Sequence, residues 1–144
     1  MTDNWLFWAI LSAAFAAATA VLSKIGLTDA KLDADLGQFV RTAVVLATVG
    51  ILVTATGRWR GLPSVEGRTW MFLALAGLAT AASWVCYFRA MKVGEAARVA
   101  AVDKLSVPLV ALFAVLALGE RLSALGWLGV LFAAAGAVLV SIGK

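Results

Sequence analysis

Residues 122–143 read LSALGWLGVLFAAAGAVLVSIG and contain no charged side chain over 22 positions. A helix rises about 1.5 Å per residue, so a segment of this length crosses the roughly 30 Å of hydrocarbon in a bilayer. Two more uncharged segments, each of 20 residues, lie at 4–23 and 69–88. These three segments predict three membrane-spanning helices.

Two further apolar segments carry charges within them. Residues 36–57 are uncharged except for Arg41, and residues 99–118 are uncharged except for Asp103 and Lys104. Both lie where short connections on either side require a span. The fold class predicted is an all-α integral membrane protein with five transmembrane helices in one domain, 1–144. An alternative with four spans needs one charged segment to lie outside the membrane. The helices are expected at about 4–25, 36–57, 69–91, 96–118 and 122–143.

The composition excludes several classes of function. Apolar residues make up 63% of the 144 positions and charged residues only 14%, whereas a soluble domain carries about 25% charged residues. There is no His and a single Cys, which removes the commonest metal ligand and general base. We therefore expect no enzyme, no catalytic residue, no metal and no cofactor. The net charge of +4 comes with no basic cluster longer than Arg58-Trp59-Arg60, so no nucleic-acid partner is expected.

The basic residues do not decide the orientation in the membrane. Five spans place the two termini on opposite faces, and the connecting segments carry nearly equal positive charge on each face. The amino-terminal segment lacks the positive region of a signal peptide, so the first helix is expected to be retained. We predict a multi-pass protein of a bacterial-type inner membrane. One face carries Arg58, Arg60, Arg68 and Arg121, and the other carries Lys24, Lys31, Arg89, Lys92 and Lys144.

Polar and aromatic residues recur on single faces of the first four predicted helices. Trp8 leads such a stripe on the first helix, and Ser83, Trp84 and Tyr87 lie together on the third. Hydrocarbon cannot solvate polar side chains, so these faces turn towards the protein interior. They are interpreted as the wall of a solute cavity, with interhelical hydrogen bonding alone as the alternative.

The charges within the spans are the sharpest signal. Arg41 and Asp103 lie at similar depths, in helices that enter from the same face. They are expected to pair across the interior or to contact a solute. Lys104 lies about 100° around the helix from Asp103, so the two cannot face one partner equally. A purely structural ion pair, with Lys104 reaching the membrane interface, is the alternative.

Pro108 predicts an irregular fourth helix. Proline cannot donate a hydrogen bond to the carbonyl of Lys104, so the helix is expected to bend or loosen there. The freed carbonyl beside a charged pair would be a ligand or gating position.

Small residues give the fifth helix a smooth face that lets another helix approach closely. This face predicts a dimer interface. A chain with five spans and little charge bias can insert in two orientations, and many carriers use two inverted repeats around one site. An antiparallel homodimer is the resulting hypothesis. The face consists of Gly129, Ala133, Gly136 and Ala137.

Three motifs in the second half carry a family resemblance. Residues 87–96 read YFRAMKVGEA, residues 99–105 read VAAVDKL, and GERLS at 119–123 is followed by WLG at 127–129. They resemble EamA-domain proteins of the drug/metabolite transporter superfamily. The resemblance implies a five-helix repeat, a carrier of small metabolites or drugs, and alternating access. Most of that family fuse two such repeats, whereas this chain has one.

The acidic residues separate this chain from the small multidrug resistance proteins, which are relatives of the same superfamily. Those proteins bind cations and protons through a carboxylate in the first helix, and residues 4–23 hold no Asp or Glu. Asp103 is the one acidic residue within a predicted span, so it is the candidate for carrying a coupling proton. With Arg41 and Lys104 the interior is net positive, which favours an anionic or zwitterionic solute.

The sequence therefore predicts a secondary transporter whose partners are a small-molecule solute, the lipid bilayer and a second copy of the chain. Arg41, Asp103 and Lys104 are the expected binding charges. The alternative function is a non-transporting membrane subunit that assembles with or regulates another protein. A passive channel is less favoured, because no ring of charge and no hydrophobic gate is recognised.

Overall fold

A computed structural model describes residues 4–28 and 31–143, so the predicted interface charge of Lys144 lies outside the described residues. Within these ranges the chain forms α-helices and one 3₁₀ segment, Arg58–Ser64, and contains no strand. The all-α class predicted is confirmed. The helices are α1 Trp5–Gly26, α2 Ala34–Ala55, α3 Gly67–Val93, α4 Ala96–Asp103, α5 Ser106–Leu118 and α6 Ala124–Ile142.

Five segments of the described chain are long and apolar enough to cross a membrane. Four of them are single helices, and the fifth, Ala96–Leu118, comprises α4 and α5 together. Their mean hydropathies run from 1.7 to 2.2. The prediction of five spans is confirmed.

Local chemistry fixes several helix ends. The Asp33 carboxylate accepts the N–H of Asp35 at 2.8 Å, and the Ser123 hydroxyl accepts that of Gly126 at 3.1 Å, so these residues cap α2 and α6. Gly119 ends α5 with a φ of 69°, a left-handed conformation that favours glycine. Each of these ends lies at a boundary between an apolar segment and a polar connection.

The fourth span is broken into two helices. α4 ends at Asp103, a turn holds Lys104 and Leu105, and α5 begins at Ser106. The N–H groups of Lys104 and Leu105 bond carbonyls three residues earlier, each at 3.0 Å, so the last turn of α4 is tightened. Pro108 then lies in the first turn of α5, where a helix needs no N–H from it.

The described chain divides into two compact units. The first, called here the α4–α6 unit, comprises residues 1–24 and 93–144 and therefore includes most of α1. Within it α6 packs against α4 and α5. Lys24 Nζ donates to the carbonyl of Gly94 at 2.7 Å, and Arg98 donates to that of Gly143 at 2.6 Å. Basic side chains thus donate hydrogen bonds to the carbonyls of residues that follow helix ends, because those carbonyls have no partner within a helix.

The second unit, called here the α2–α3 unit, comprises residues 25–92. Lys92 Nζ, near the end of α3, donates to the carbonyls of Leu27 at 3.0 Å and Leu32 at 2.9 Å. Arg89 and Asp35 form two hydrogen bonds of 2.8 and 2.6 Å. The end of α3 is therefore tied to the beginning of α2. Buried side chains fill the same end, namely Leu27, Ala34, Gln38, Phe88 and Met91.

Large apolar side chains elsewhere point outwards. Phe15 on α1 is 66% exposed, Leu46 on α2 73% and Leu131 on α6 64%. Water would make such surfaces costly, whereas lipid tails solvate them. Their exposure agrees with a membrane-embedded chain.

Candidate functional site

Arg41 lies on α2 and is held against aromatic rings of α3. Its guanidinium carbon is 4.3 Å from the centre of the Trp84 ring and 5.6 Å from that of Phe88. Both distances lie within the roughly 6 Å over which an aromatic face attracts a cation. Because Arg41 is the eighth residue of α2, the charge lies about two helical turns into the span. A cation at this depth is expensive, so Arg41 is a candidate site residue.

A hydrogen-bonded chain on α2 supports the guanidinium. Arg41 donates from Nη1 to Gln38 Oε1 at 3.3 Å, and Gln38 Nε2 donates to Thr42 Oγ1 at 2.8 Å. The Thr42 hydroxyl in turn donates to the Gln38 carbonyl at 2.8 Å. Gln38 is 5% exposed, and it is the one buried polar side chain among the described residues. Its amide is therefore satisfied on both sides, as burial requires.

On the part of its unit that the structure describes, the positive charge of Arg41 has no acidic partner. Among the described residues of the α2–α3 unit, Asp35 pairs with Arg89, and neither Asp33 nor Glu66 forms an ion pair with Arg41. Aromatic faces and a neutral amide hold the guanidinium in place without neutralising it. The arrangement leaves a net positive charge in a membrane span, which is suited to binding an anion.

The third helix supplies only part of the wall predicted from its sequence. Trp84 contacts Arg41 directly, and the ring of Tyr87 lies 6.5 Å from that of Phe88. Ser83 is exposed and forms no hydrogen bond with Arg41. Gln38 and Phe88 also belong to the cluster: the sequence places Gln38 on the polar stripe of Arg41 without naming it as a site residue, and it gives Phe88 no role. Their spacing was a usable signal, since Gln38 precedes Arg41 by three residues and Phe88 follows Trp84 by four.

Asp103 and Lys104 lie in the other unit and pair with each other. Lys104 Nζ is 3.3 Å from Asp103 Oδ2, and the side chain of Lys104 is 60% exposed while that of Asp103 is 39% exposed. Asp103 is the eighth and last residue of α4, and Lys104 lies in the turn that follows. Two oppositely charged residues that are adjacent in sequence thus form an ion pair at the break in the fourth span.

The Lys104 carbonyl is not the free ligand that the sequence suggested. The N–H of Val107 donates to it at 3.0 Å, so the turn before Pro108 supplies the bond that proline cannot. The irregularity expected near Pro108 is present, but it lies three to four residues before the proline. The expectation of a freed carbonyl is wrong, because the chain closes a tighter turn.

Trp8 lies on α1, in the α4–α6 unit, and its ring meets that of Phe7 edge-on at 5.4 Å. Its side chain is 59% exposed. Among the described residues, no group of three or more His, Cys, Asp and Glu side chains is placed to hold a metal ion.

The small residues of α6 differ in their exposure. Ala137 is 6% exposed and buried within the chain, whereas Gly129, Ala133 and Gly136 are exposed. No atom lies within 4 Å of a Cβ built on either of those two glycines, apart from their own helix and chain neighbours. The face available to a second chain is therefore narrower than the sequence suggested, since Ala137 belongs to the packing of α6 within its own unit.

Comparison with known proteins identifies the chain. The model of the EamA-like transporter family matches residues 3–142. The chain belongs to this family. A curated protein of Sinorhizobium sp. named "Uncharacterized transporter in cobO 3'region" is 54% identical over 142 residues, which cover 99% of each chain. No solved structure matches.

Family membership places this EamA-like transporter in the membrane as a multi-pass protein and gives it a transport role. The family resemblance seen in the sequence is confirmed.

Proposed function

We propose that this EamA-like protein is a secondary transporter of small organic anions or zwitterions, working by alternating access as an antiparallel homodimer in a bacterial-type inner membrane. The observation that carries the proposal is the guanidinium of Arg41. It lies 4.3 Å from the Trp84 ring inside a span, and none of the described acidic residues of its own unit pairs with it. A retained intramembrane charge of this kind marks a solute or ion pathway.

The roles of the other charged and aromatic residues follow from the same proposal. Arg41 binds the anionic group of the solute, while Trp84 and Tyr87 form aromatic walls. Lys104 adds positive charge, and Asp103 exchanges its partner Lys104 for a coupling proton during the cycle. Pro108, in the first turn of α5, preserves the break at which the fourth span flexes.

The transport proposal is tested with proteoliposomes incubated in a mixture of cell metabolites. Mass spectrometry of the vesicle contents compares the wild type with Arg41→Ala. Carboxylates or amino acids enriched in the wild type and absent from Arg41→Ala support the proposal. Equal contents in both, or enrichment of cations only, contradict it.

The length of the relative supports a homodimer. It is matched over 99% of its own length, so that transporter adds no second repeat beyond the matched region. Alternating access in many carriers needs two inverted repeats, and two copies inserted in opposite orientations supply them.

The dimer proposal is tested by cysteine labelling from outside intact cells. Thr2→Cys and Lys144→Cys are made separately in a Cys86→Ser background and treated with an impermeant maleimide. Partial labelling of both variants supports two orientations. Labelling of only one contradicts the antiparallel homodimer and directs the search to a parallel dimer or an oppositely oriented partner protein.

A further inference from the structure

We propose that Gln38 is the positioning residue that makes the Arg41 site select a carboxylate. The proposal rests on the transport function proposed above and concerns the charge of the solute that the same site accepts. Gln38 acts through Arg41: it fixes the guanidinium by a hydrogen bond and leaves its charge unneutralised.

The direction of each hydrogen bond follows from the chemistry of the groups. A guanidinium only donates, so the Gln38 atom that faces Arg41 at 3.3 Å must be the amide oxygen. The amide nitrogen then faces Thr42 Oγ1 at 2.8 Å and donates to it. The Thr42 hydroxyl hydrogen is directed to the Gln38 carbonyl at 2.8 Å. Thr42 therefore locks the amide in the orientation that Arg41 requires.

A neutral acceptor at this position has a specific consequence. A carboxylate at position 38 would form an internal ion pair with Arg41 and compete with an anionic solute. An apolar side chain would leave Nη1 without this acceptor. Glutamine holds the guanidinium without cancelling its charge, and the Trp84 face 4.3 Å away does the same from α3.

The guanidinium keeps donors for a solute. Of its five N–H groups, one donates to Gln38, and the α2–α3 unit shows no second hydrogen bond from Arg41 among its described residues. A planar fork of N–H groups matches the two oxygens of a carboxylate. The neighbouring rings of Trp84 and Phe88 suit a solute with an apolar or aromatic body. The class of solute indicated is a small apolar or aromatic carboxylate.

Three probes of matched size test this charge selection in the purified full-length protein. Benzoate, benzamide and benzylammonium carry one ring and differ in charge, and isothermal titration measures the Kd of each. The wild type should bind benzoate at least about 10-fold tighter than either of the other two, because only benzoate forms a charge-assisted pair with Arg41.

The decisive variant is Gln38→Glu, which keeps the size and the acceptor but adds a negative charge. The Kd of benzoate should rise at least about 10-fold, while that of benzylammonium stays the same or falls. Thr42→Val should raise the Kd of benzoate about 2- to 5-fold, because the Gln38 amide loses its hydrogen bond to the Thr42 hydroxyl. Thr48→Val is the matched control, because the Thr48 hydroxyl donates to the Val44 carbonyl at the same 2.8 Å and forms no side-chain bond to Gln38. It should leave all three Kd values unchanged.

The outcomes separate this inference from the proposed function. Equal weakening of all three probes in Gln38→Glu indicates a structural role and overturns charge selection by Gln38. Benzoate binding lost in Arg41→Ala but unchanged in Gln38→Glu overturns the role of Gln38 while Arg41 keeps its solute site. Benzoate binding unchanged in Arg41→Ala overturns the site of the proposed function itself. A wild type without preference for benzoate overturns the assignment of a carboxylate.

Discussion

The two units both place charged residues inside spans, but they partner these charges differently. In the α2–α3 unit Arg41 draws its contacts from another helix, through Trp84 at 4.3 Å and Phe88 at 5.6 Å. In the α4–α6 unit Asp103 pairs with its own neighbour Lys104 at 3.3 Å, and both remain well exposed. The charge of Arg41 is held by residues of two helices, whereas Asp103 and Lys104 are joined by one contact between neighbours at a break in the span. The first arrangement suits recognition of a solute, and the second suits a step that moves a charge or a proton.

The largest expected effect comes from removing the fixed charge. Arg41→Ala should lower solute uptake by about 100-fold, because losing one partner of a desolvated charge pair costs about 2–5 kcal/mol. Initial uptake rates in proteoliposomes measure it at matched protein content. Arg89→Ala is the control, since Arg89 pairs with Asp35 at an exposed position near the end of α3 and is not in contact with Arg41. Equal losses in both variants would remove the distinction between a binding arginine and a structural one.

A substitution in the Asp103–Lys104 pair should affect proton coupling without affecting solute binding. Asp103→Asn should abolish uptake driven by a proton gradient, because the amide carries no titrating proton, while exchange of labelled for unlabelled solute continues. Thermal unfolding should show that the variant remains folded. Uptake with and without a gradient, together with thermal unfolding, gives both quantities. Exchange lost together with gradient-driven uptake would assign Asp103 to solute binding instead.

The aromatic support of Arg41 should give a smaller effect. Trp84→Leu keeps an apolar side chain but removes the ring face, and a partly desolvated cation–π contact is worth about 0.5–2 kcal/mol. Solute affinity should fall by roughly 2- to 30-fold. Trp70→Leu is a suitable control, since Trp70 lies near the start of α3, is 47% exposed and is no partner of Arg41. An equal fall in solute affinity in both variants would mean that the effect does not depend on the contact between Trp84 and Arg41.

The spans themselves were predictable because hydrocarbon imposes a length and an absence of charge on each segment. The spans at 122–143 and 69–88 could be predicted from their length and lack of charge alone. The break in the fourth span was harder, because Pro108 marks a disturbance but not its place. A proline weakens the turn before it, and here Lys104 and Leu105 take up the irregular geometry.

The candidate site was predictable in its charges and less so in its contacts. Arg41 stands out because a cation in a span is rare, and Trp84 because it shares a polar stripe. Gln38 shares the polar stripe of Arg41, but its burial depends on how α2 packs against α3. Phe88 carries no polar chemistry, and its place beside Arg41 depends on the same packing. Periodicity shows which residues share a face of one helix, but it does not show which residue of the next helix lies opposite. For the same reason Ala137 could not be separated from Ala133 by sequence.

Ala133 and Ala137, one turn apart on α6, provide the finest test of the contrast between internal packing and surfaces left for a partner. Ala137→Leu adds bulk where the side chain is 6% exposed, and overpacking there should cost about 1–3 kcal/mol. Ala133→Leu adds the same bulk on the exposed face and should leave unfolding of the chain unchanged while shifting dimer towards monomer. Thermal unfolding in detergent measures the first effect, and size-exclusion chromatography with light scattering measures the second. The contrast is sharp because the substitution is identical and the positions are four residues apart. A dimer weakened by Ala137→Leu alone would assign the contact with the partner to Ala137, and unfolding temperatures lowered equally would mean that both positions pack within one chain.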